Sequence, residues 1–333
     1  MVIIFIAILI IFLYPNSNSE SETFTLDKTK LLKAILPFLI LIHHLWIFDD
    51  FKQVGIYVVA MFFFISGYGL QCKRDKKQIN FHALYISLQK LLIPLIIPSI
   101  VYILLLYYYK DYSITQILEK IKNYQIILPY TWFIVTLILL YILYYSLSTF
   151  IQTNYFFIST ILIGILCIGF IAYKLKYPST YYQANLAFVG GCLYKEIEQR
   201  YNGKMSIHKK IYKIPILTLL TFVTITCCIR ISHFLLPIVM INSIIWTYCI
   251  AYIISSYSYK KQKWISFLSS ISYELYICQG ITFLIIDREN YNSYLLLLIT
   301  LIINTIIAYL MHNTTNQIIN IYDSFKTRIT RVS

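Results

Sequence analysis

From Leu31 onward, apolar runs of about twenty residues follow one another with only short polar breaks between them. They fall at about 31–48, 54–71, 84–109, 129–151, 155–173, 181–195, 211–229, 232–256, 264–286 and 292–315. Each is near the length a helix needs to cross the hydrocarbon core of a bilayer, where lipid offers the backbone no hydrogen bonds and the chain must satisfy its own. The expected fold class is therefore all-α, a polytopic membrane helical bundle of about ten core transmembrane helices. The sixth run is short and interrupted by Gly190-Gly191, which reads as a half-helix lining a cavity. Residues 2–14 form a further apolar run, short for a span and lacking a signal peptide's basic start and cleavage site. It is read as an extra N-terminal helix. The domain reading is a hydrophobic segment and polar linker over 1–27, a transmembrane domain over 28–320 and a short basic cytoplasmic tail over 321–333.

Composition agrees: 59% of residues are hydrophobic and 13% charged, against roughly 45–50% and 25% in soluble domains. A net charge of +14 would suggest nucleic acid for a soluble protein. Here it has a plainer cause. The basic stretches Cys72–Lys77, Lys195–Lys213, Lys260–Lys263 and Lys326–Arg331 all fall on one side once Lys28, Lys30 and Lys33 are placed in the cytoplasm. No nucleic-acid partner is expected; the partner surface is the bilayer, and the expected location is the cytoplasmic (inner) membrane, multi-pass. The 7 cysteines show neither metal nor redox spacing and read as small buried apolar residues. No metal site is expected.

Residues 33–70 concentrate the chemistry. Lys33 begins an apolar run that ends in His43-His44, a polar turn (Asp49-Asp50-Phe51-Lys52-Gln53) follows, and the next run closes on Phe62-Phe63-Phe64-Ile65-Ser66-Gly67-Tyr68-Gly69. Lys33 and His44 are eleven residues apart, which in a helix is three turns plus about 20°. They share a face about 16 Å apart along the axis, with His43 about 80° away. Pro37, between them, can kink this alignment. An ionisable group within a membrane span is a functional candidate by default, whereas a lysine at the cytoplasmic start of a span is also ordinary snorkelling.

A basic residue, ten residues, then His, followed by a helix ending in Phe-Phe-x-x-Ser-Gly-Tyr, resembles membrane-bound acyltransferase family 3 in its stand-alone form, without a fused extracytoplasmic domain. The resemblance covers most of the chain from about Leu31, with its specific motifs in the first two core helices. It implies an O-acyltransferase that moves an acyl group, acetyl first among them, from acyl-coenzyme A to a hydroxyl of a cell-envelope or secreted glycan or a lipid-linked sugar. No bound cofactor is implied, since acyl-coenzyme A is the donor substrate. It makes His44 the functional histidine and puts Lys33 where the family often has Arg, keeping the charge without the planar fork. Lys33 would hold an anionic group of the donor. His43, Ser66, Gly67 and Tyr68 would line the cavity, although Ser66 and the glycines read first as residues that let helices approach.

Glu274, in Ser269–Gln279, is the clearest acidic residue inside an apolar run. Either it handles protons or orients His44, or it neutralises Arg230 or Lys90. Its segment resembles the family's late Ser-Tyr-x-x-Tyr-Leu stretch, which often ends in His; Gln279 stands there and does not titrate. Trp132 resembles a Trp that opens the fourth core helix, and an aromatic belt explains it equally. Arg230 and His233 read as interfacial. The alternative class is a transporter or flippase for a glycan or small metabolite, which would suit many spans, an inward carboxylate and a broken sixth helix. A glycan polymerase would want larger external loops than these.

Overall fold

The computed structural model describes residues 13–15, 24–45, 54–122, 128–201, 236–259, 262–286 and 294–332. The polar turn at 49–53, the seventh apolar run, Arg230, His233 and residues 1–12 lie outside them. Helix α1 spans Leu26–Leu45, α2 Val54–Asp75, α3 Phe81–Tyr109, α4 Ile114–Lys122, α5 Trp132–Phe150, α6 Asn154–Lys174 and α7 Leu186–Tyr201. Then come α8 at Leu236–Ser256, α9 at Lys263–Ser270, α10 at Ser272–Ile277, α11 at Gln279–Ile286 and α12 at Tyr294–Val332. The only strands among the described residues are β1 (Leu13–Pro15) and β2 (Tyr257–Tyr259), paired antiparallel.

The protein is all-α, and six of its described helical segments are long and apolar enough to span a membrane: Gly55–Asp75, Phe81–Tyr109, Trp132–Phe150, Asn154–Lys174, Pro237–Ser255 and Leu295–Ile321. The expectation of about ten is not reached among the described residues. Helix α1 carries Asp27, Lys28, Lys30 and Lys33 in its first turns, and α7 ends in charged residues. The run at 264–286 is three short helices, α9 to α11, that break at Ile271 and Cys278. Helical i+4 to i backbone bonds still cross both breaks, from Leu275 N to Ile271 O and from Thr282 N to Cys278 O.

Two further expectations are corrected. Residues 13–15 are extended rather than helical, as Pro15 requires of the residue before it. Helix α7 runs unbroken through Gly190-Gly191; the glycines are there for packing.

The chain forms two compact units, Met1–Leu84 with Val135–Ser269 and Tyr85–Ile134 with Ser270–Ser333. The first is built on α2, which packs most extensively against α7 and then α1. Its contact with α7 is backbone on backbone. A Cβ at Gly67 would run into the carbonyl oxygen of Phe188, and one at Gly191 into that of Phe64. Between membrane helices, where lipid is as apolar as leucine, such small-residue contacts supply the close packing that holds helices together. In the second unit α12 packs along α10 and α11. On α3, Leu92, Ile96, Ile100 and Leu104 recur every fourth residue and are exposed, a stripe suited to lipid.

This crossing gives a stability test. Gly67→Ala and Gly191→Ala should each destabilise by about 1–3 kcal/mol through overpacking, read as a lower melting temperature in detergent. Gly69→Ala, on the same helix with nothing within 4 Å of the added Cβ, should leave the melting temperature unchanged or slightly raise it.

Candidate functional site

Helix α1 stays helical through Pro37, so the eleven-residue spacing keeps Lys33 and His44 on one element, about 16 Å apart along its axis. Proline has no N–H, so the Lys33 carbonyl lacks its usual i+4 donor. Lys33 is half-buried, and among the described residues no ion-pair partner faces its ammonium. At the other end of α1 the half-buried rings of His43 and His44 lie 4.8 Å apart between centroids, tilted by 52°. A glycine on α2 makes room for the first. A Cβ at Gly55 would stand 2.5 Å from the His43 ring, so His43 is the imidazole seated on α2.

On α2, the three motif residues have different tasks. The Ser66 side chain faces Tyr141 of α5. Gly67 admits α7, and its carbonyl receives the Cys192 thiol. Tyr68 is buried and donates its hydroxyl to Glu198 Oε2 at 2.7 Å.

In the second unit, Trp132 opens α5 after a turn in which Tyr130 adopts a φ of 68°, left-handed geometry uncommon for a non-glycine residue. That turn is clamped to the late segment. Tyr276 donates its hydroxyl to the Tyr130 carbonyl at 2.7 Å. Gly280 abuts Pro129, with 2.9 Å left for a Cβ. Trp132 and fully buried Gln279 therefore belong to neighbouring pieces of chain. Glu274 is 4% exposed, and its counter-group is neither Lys90, which is exposed, nor any lysine or arginine among the described residues. Its Oε1 sits 2.9 Å from Nδ1 of His312 on α12.

The family model for the acyltransferase domain of acyltransferase family 3 matches residues 26–313. The chain belongs to acyltransferase family 3. It is a multi-pass membrane acyltransferase. No curated protein and no solved structure matches it.

In this family 3 chain the charges that sequence reasoning misses are Glu196 and Glu198, which read as part of a basic loop. Both are buried near the end of α7. Glu198 accepts from Tyr68, from the Phe24 backbone N–H at 2.6 Å and from Lys195 Nζ at 3.0 Å, and so ties the chain entering α1 to α2 and α7. Glu196 accepts from Gln71 and Asn154; Gln71 in turn receives the Tyr144 hydroxyl. Arg74 stacks on Phe157 and donates to Asn154 and to the Ile151 and Gln152 carbonyls, fixing the α5–α6 turn. The available signal was Lys195 and Glu198 at i, i+3, an intrahelical pair.

Buried Lys28, ahead of the apolar run, donates to the Ser255 carbonyl at 2.8 Å, a cation at the C-terminal end of α8. Burial lowers its amine from 10.5 to about 8, with the Glu198 charge opposing the shift. Because the folded value is the lower one, the cost of burying the charged amine is full below about pH 8. It fades as pH rises towards 10.5. The melting temperature of wild type relative to Lys28→Met should therefore climb across that window; a gap that stays flat contradicts the assignment. Glu198→Ala strands three donors, two of them buried, and should cost about 3 kcal/mol, measured the same way.

Proposed function

We propose that this family 3 protein is an O-acyltransferase of the bacterial cytoplasmic membrane. It moves an acyl group, acetyl first among candidates, from acyl-coenzyme A to a hydroxyl of a cell-envelope or secreted glycan. The observation that carries the reading is α1 itself: one helix that presents, near its basic end, an ammonium with no ion-pair partner among the described residues and an imidazole pair at the other, inside the matched domain. Lys33 holds an anionic group of the donor, whose phosphates arrive from the cytoplasm. Neutral His44 takes the proton of the acceptor hydroxyl as its oxygen attacks the thioester carbonyl. The carbon–sulfur bond then breaks, and the proton passes to the departing thiolate. His43, seated on Gly55, keeps α1 and α2 in register at that end. Within the first unit Ser66 and Tyr68 are candidate substrate contacts; within the second, Trp132, Gln279 and Glu274 are. The transporter alternative leaned on a broken sixth helix, and α7 is continuous.

The test is release of coenzyme A from labelled acetyl-coenzyme A by purified protein in nanodiscs, with a panel of glycan acceptors. Wild type should release it in an acceptor-dependent way, and His44→Ala should lose about 100-fold or more of that rate. Equal rates remove His44 from the mechanism. Absence of both donor binding and release returns the transporter reading.

A further inference from the structure

The second unit contains a buried carboxylate that its surroundings leave half-satisfied. Glu274 Oε1 meets His312 Nδ1 at 2.9 Å. Its other oxygen, Oε2, is buried and has no hydrogen-bond partner among the described residues. A carboxylate is an acceptor with about four lone-pair positions, and burying one without donors costs several kcal/mol. Four donors of these helices are committed elsewhere. Tyr273 donates to the Leu91 carbonyl and Tyr276 to that of Tyr130. Thr282 donates to Asn304 Oδ1, and Asn304 Nδ2 to the Leu275 carbonyl. Cys278, which feels the Glu274 charge, is a weak donor at best. One turn beyond His312 on α12, the Thr315 hydroxyl is also buried without a partner among the described residues, on the helix face that His312 shares.

His312 fixes one oxygen and leaves the other. An imidazole nitrogen within hydrogen-bond distance of one carboxyl oxygen orients both groups, and the second oxygen stays available to accept. We propose that Glu274 Oε2 receives a hydroxyl of the acceptor substrate, and that His312 is the positioning residue that keeps this carboxyl group aimed. The ligand class is a polyol, such as a sugar ring, whose hydroxyl supplies the missing donor. The proposal rests on the acyltransfer reading for the identity of the ligand, though not for the geometry of the pair.

Two measurements on purified full-length protein in nanodiscs test it. The first separates KM for the acceptor from KM for acetyl-coenzyme A. Glu274→Gln and His312→Leu should raise acceptor KM about tenfold or more while donor KM stays put. His312→Asn, whose amide can donate in place of Nδ1, should stay within about threefold of wild type. Unchanged acceptor KM in Glu274→Gln and His312→Leu, or equal changes in both KM values, overturns the proposal. So does His312→Asn behaving like His312→Leu. Should His312→Leu fail to fold, the near-isosteric Glu274→Gln and His312→Asn decide.

The second needs no turnover. A glycan acceptor supplied without donor should raise the melting temperature of wild type and leave those of Glu274→Gln and His312→Leu unmoved. Equal shifts in the three proteins, or no shift of wild type with any acceptor, overturn the proposal. If acceptors stabilise wild type selectively but no donor is turned over, it is the acyltransfer reading that fails.

Discussion

The backbone contact between α2 and α7 is the constraint on which the first unit depends. In lipid there is no hydrophobic gain from bringing two apolar helices together, so proximity has to come from shape. Gly67 against Phe188 and Gly191 against Phe64 supply it reciprocally. Each helix gives up a side chain where the other presents a carbonyl. That approach is what lets short side chains connect: the Cys192 thiol reaches the Gly67 carbonyl, and Tyr68 reaches Glu198. Gly55 applies the same device to α1, where the object admitted is the His43 ring. The polar residues of α1 and α2 are thus held by a packing rule before any electrostatic one applies.

Charge is then handled differently in different places. Near the ends of α2 and α7, each carboxylate takes more than one donor. Glu198 takes three donors, and Glu196 takes Gln71 and Asn154. Such groups stabilise by fixing segments in place, since removing one partner strands the rest. Glu274 does not follow that pattern. It has one partner, and its second oxygen has none among the described residues, so this carboxyl group fixes fewer segments than Glu198 does.

The local features of this molecule were legible in its sequence and the reciprocal ones were not. The Lys33 to His44 spacing could be read because both residues lie on one helix, so the rise and turn of that helix alone decide the result. Gly190-Gly191 in an apolar run is consistent with a break or with a close crossing, and only Phe64 and Gly67, more than a hundred residues earlier, choose between them. The same holds for Glu198, whose neighbours in sequence are charged and whose donors are Tyr68 and the Phe24 backbone. Nothing around His312 marks it in sequence. Its meaning lies in Glu274, 38 positions away. Helix breaks at Ile271 and Cys278 escape a hydropathy reading because apolar content does not change there.

Gln279 stands where the resemblance puts a histidine, and an amide can donate and accept but does not carry a charge. The ionisable side chain of that segment is Glu274, one turn earlier. Its partner comes from elsewhere. Asn304 holds α12 against the Leu275 carbonyl, two turns before His312 on the same helix, and that registration delivers the imidazole to Glu274. The pair is divided between α10 and α12, so its integrity depends on their packing as well as on side-chain chemistry. A substitution at Asn304, which touches neither group directly, acts on the pair by releasing the helix that carries His312. A lone histidine on the late segment would have no such dependence on α12.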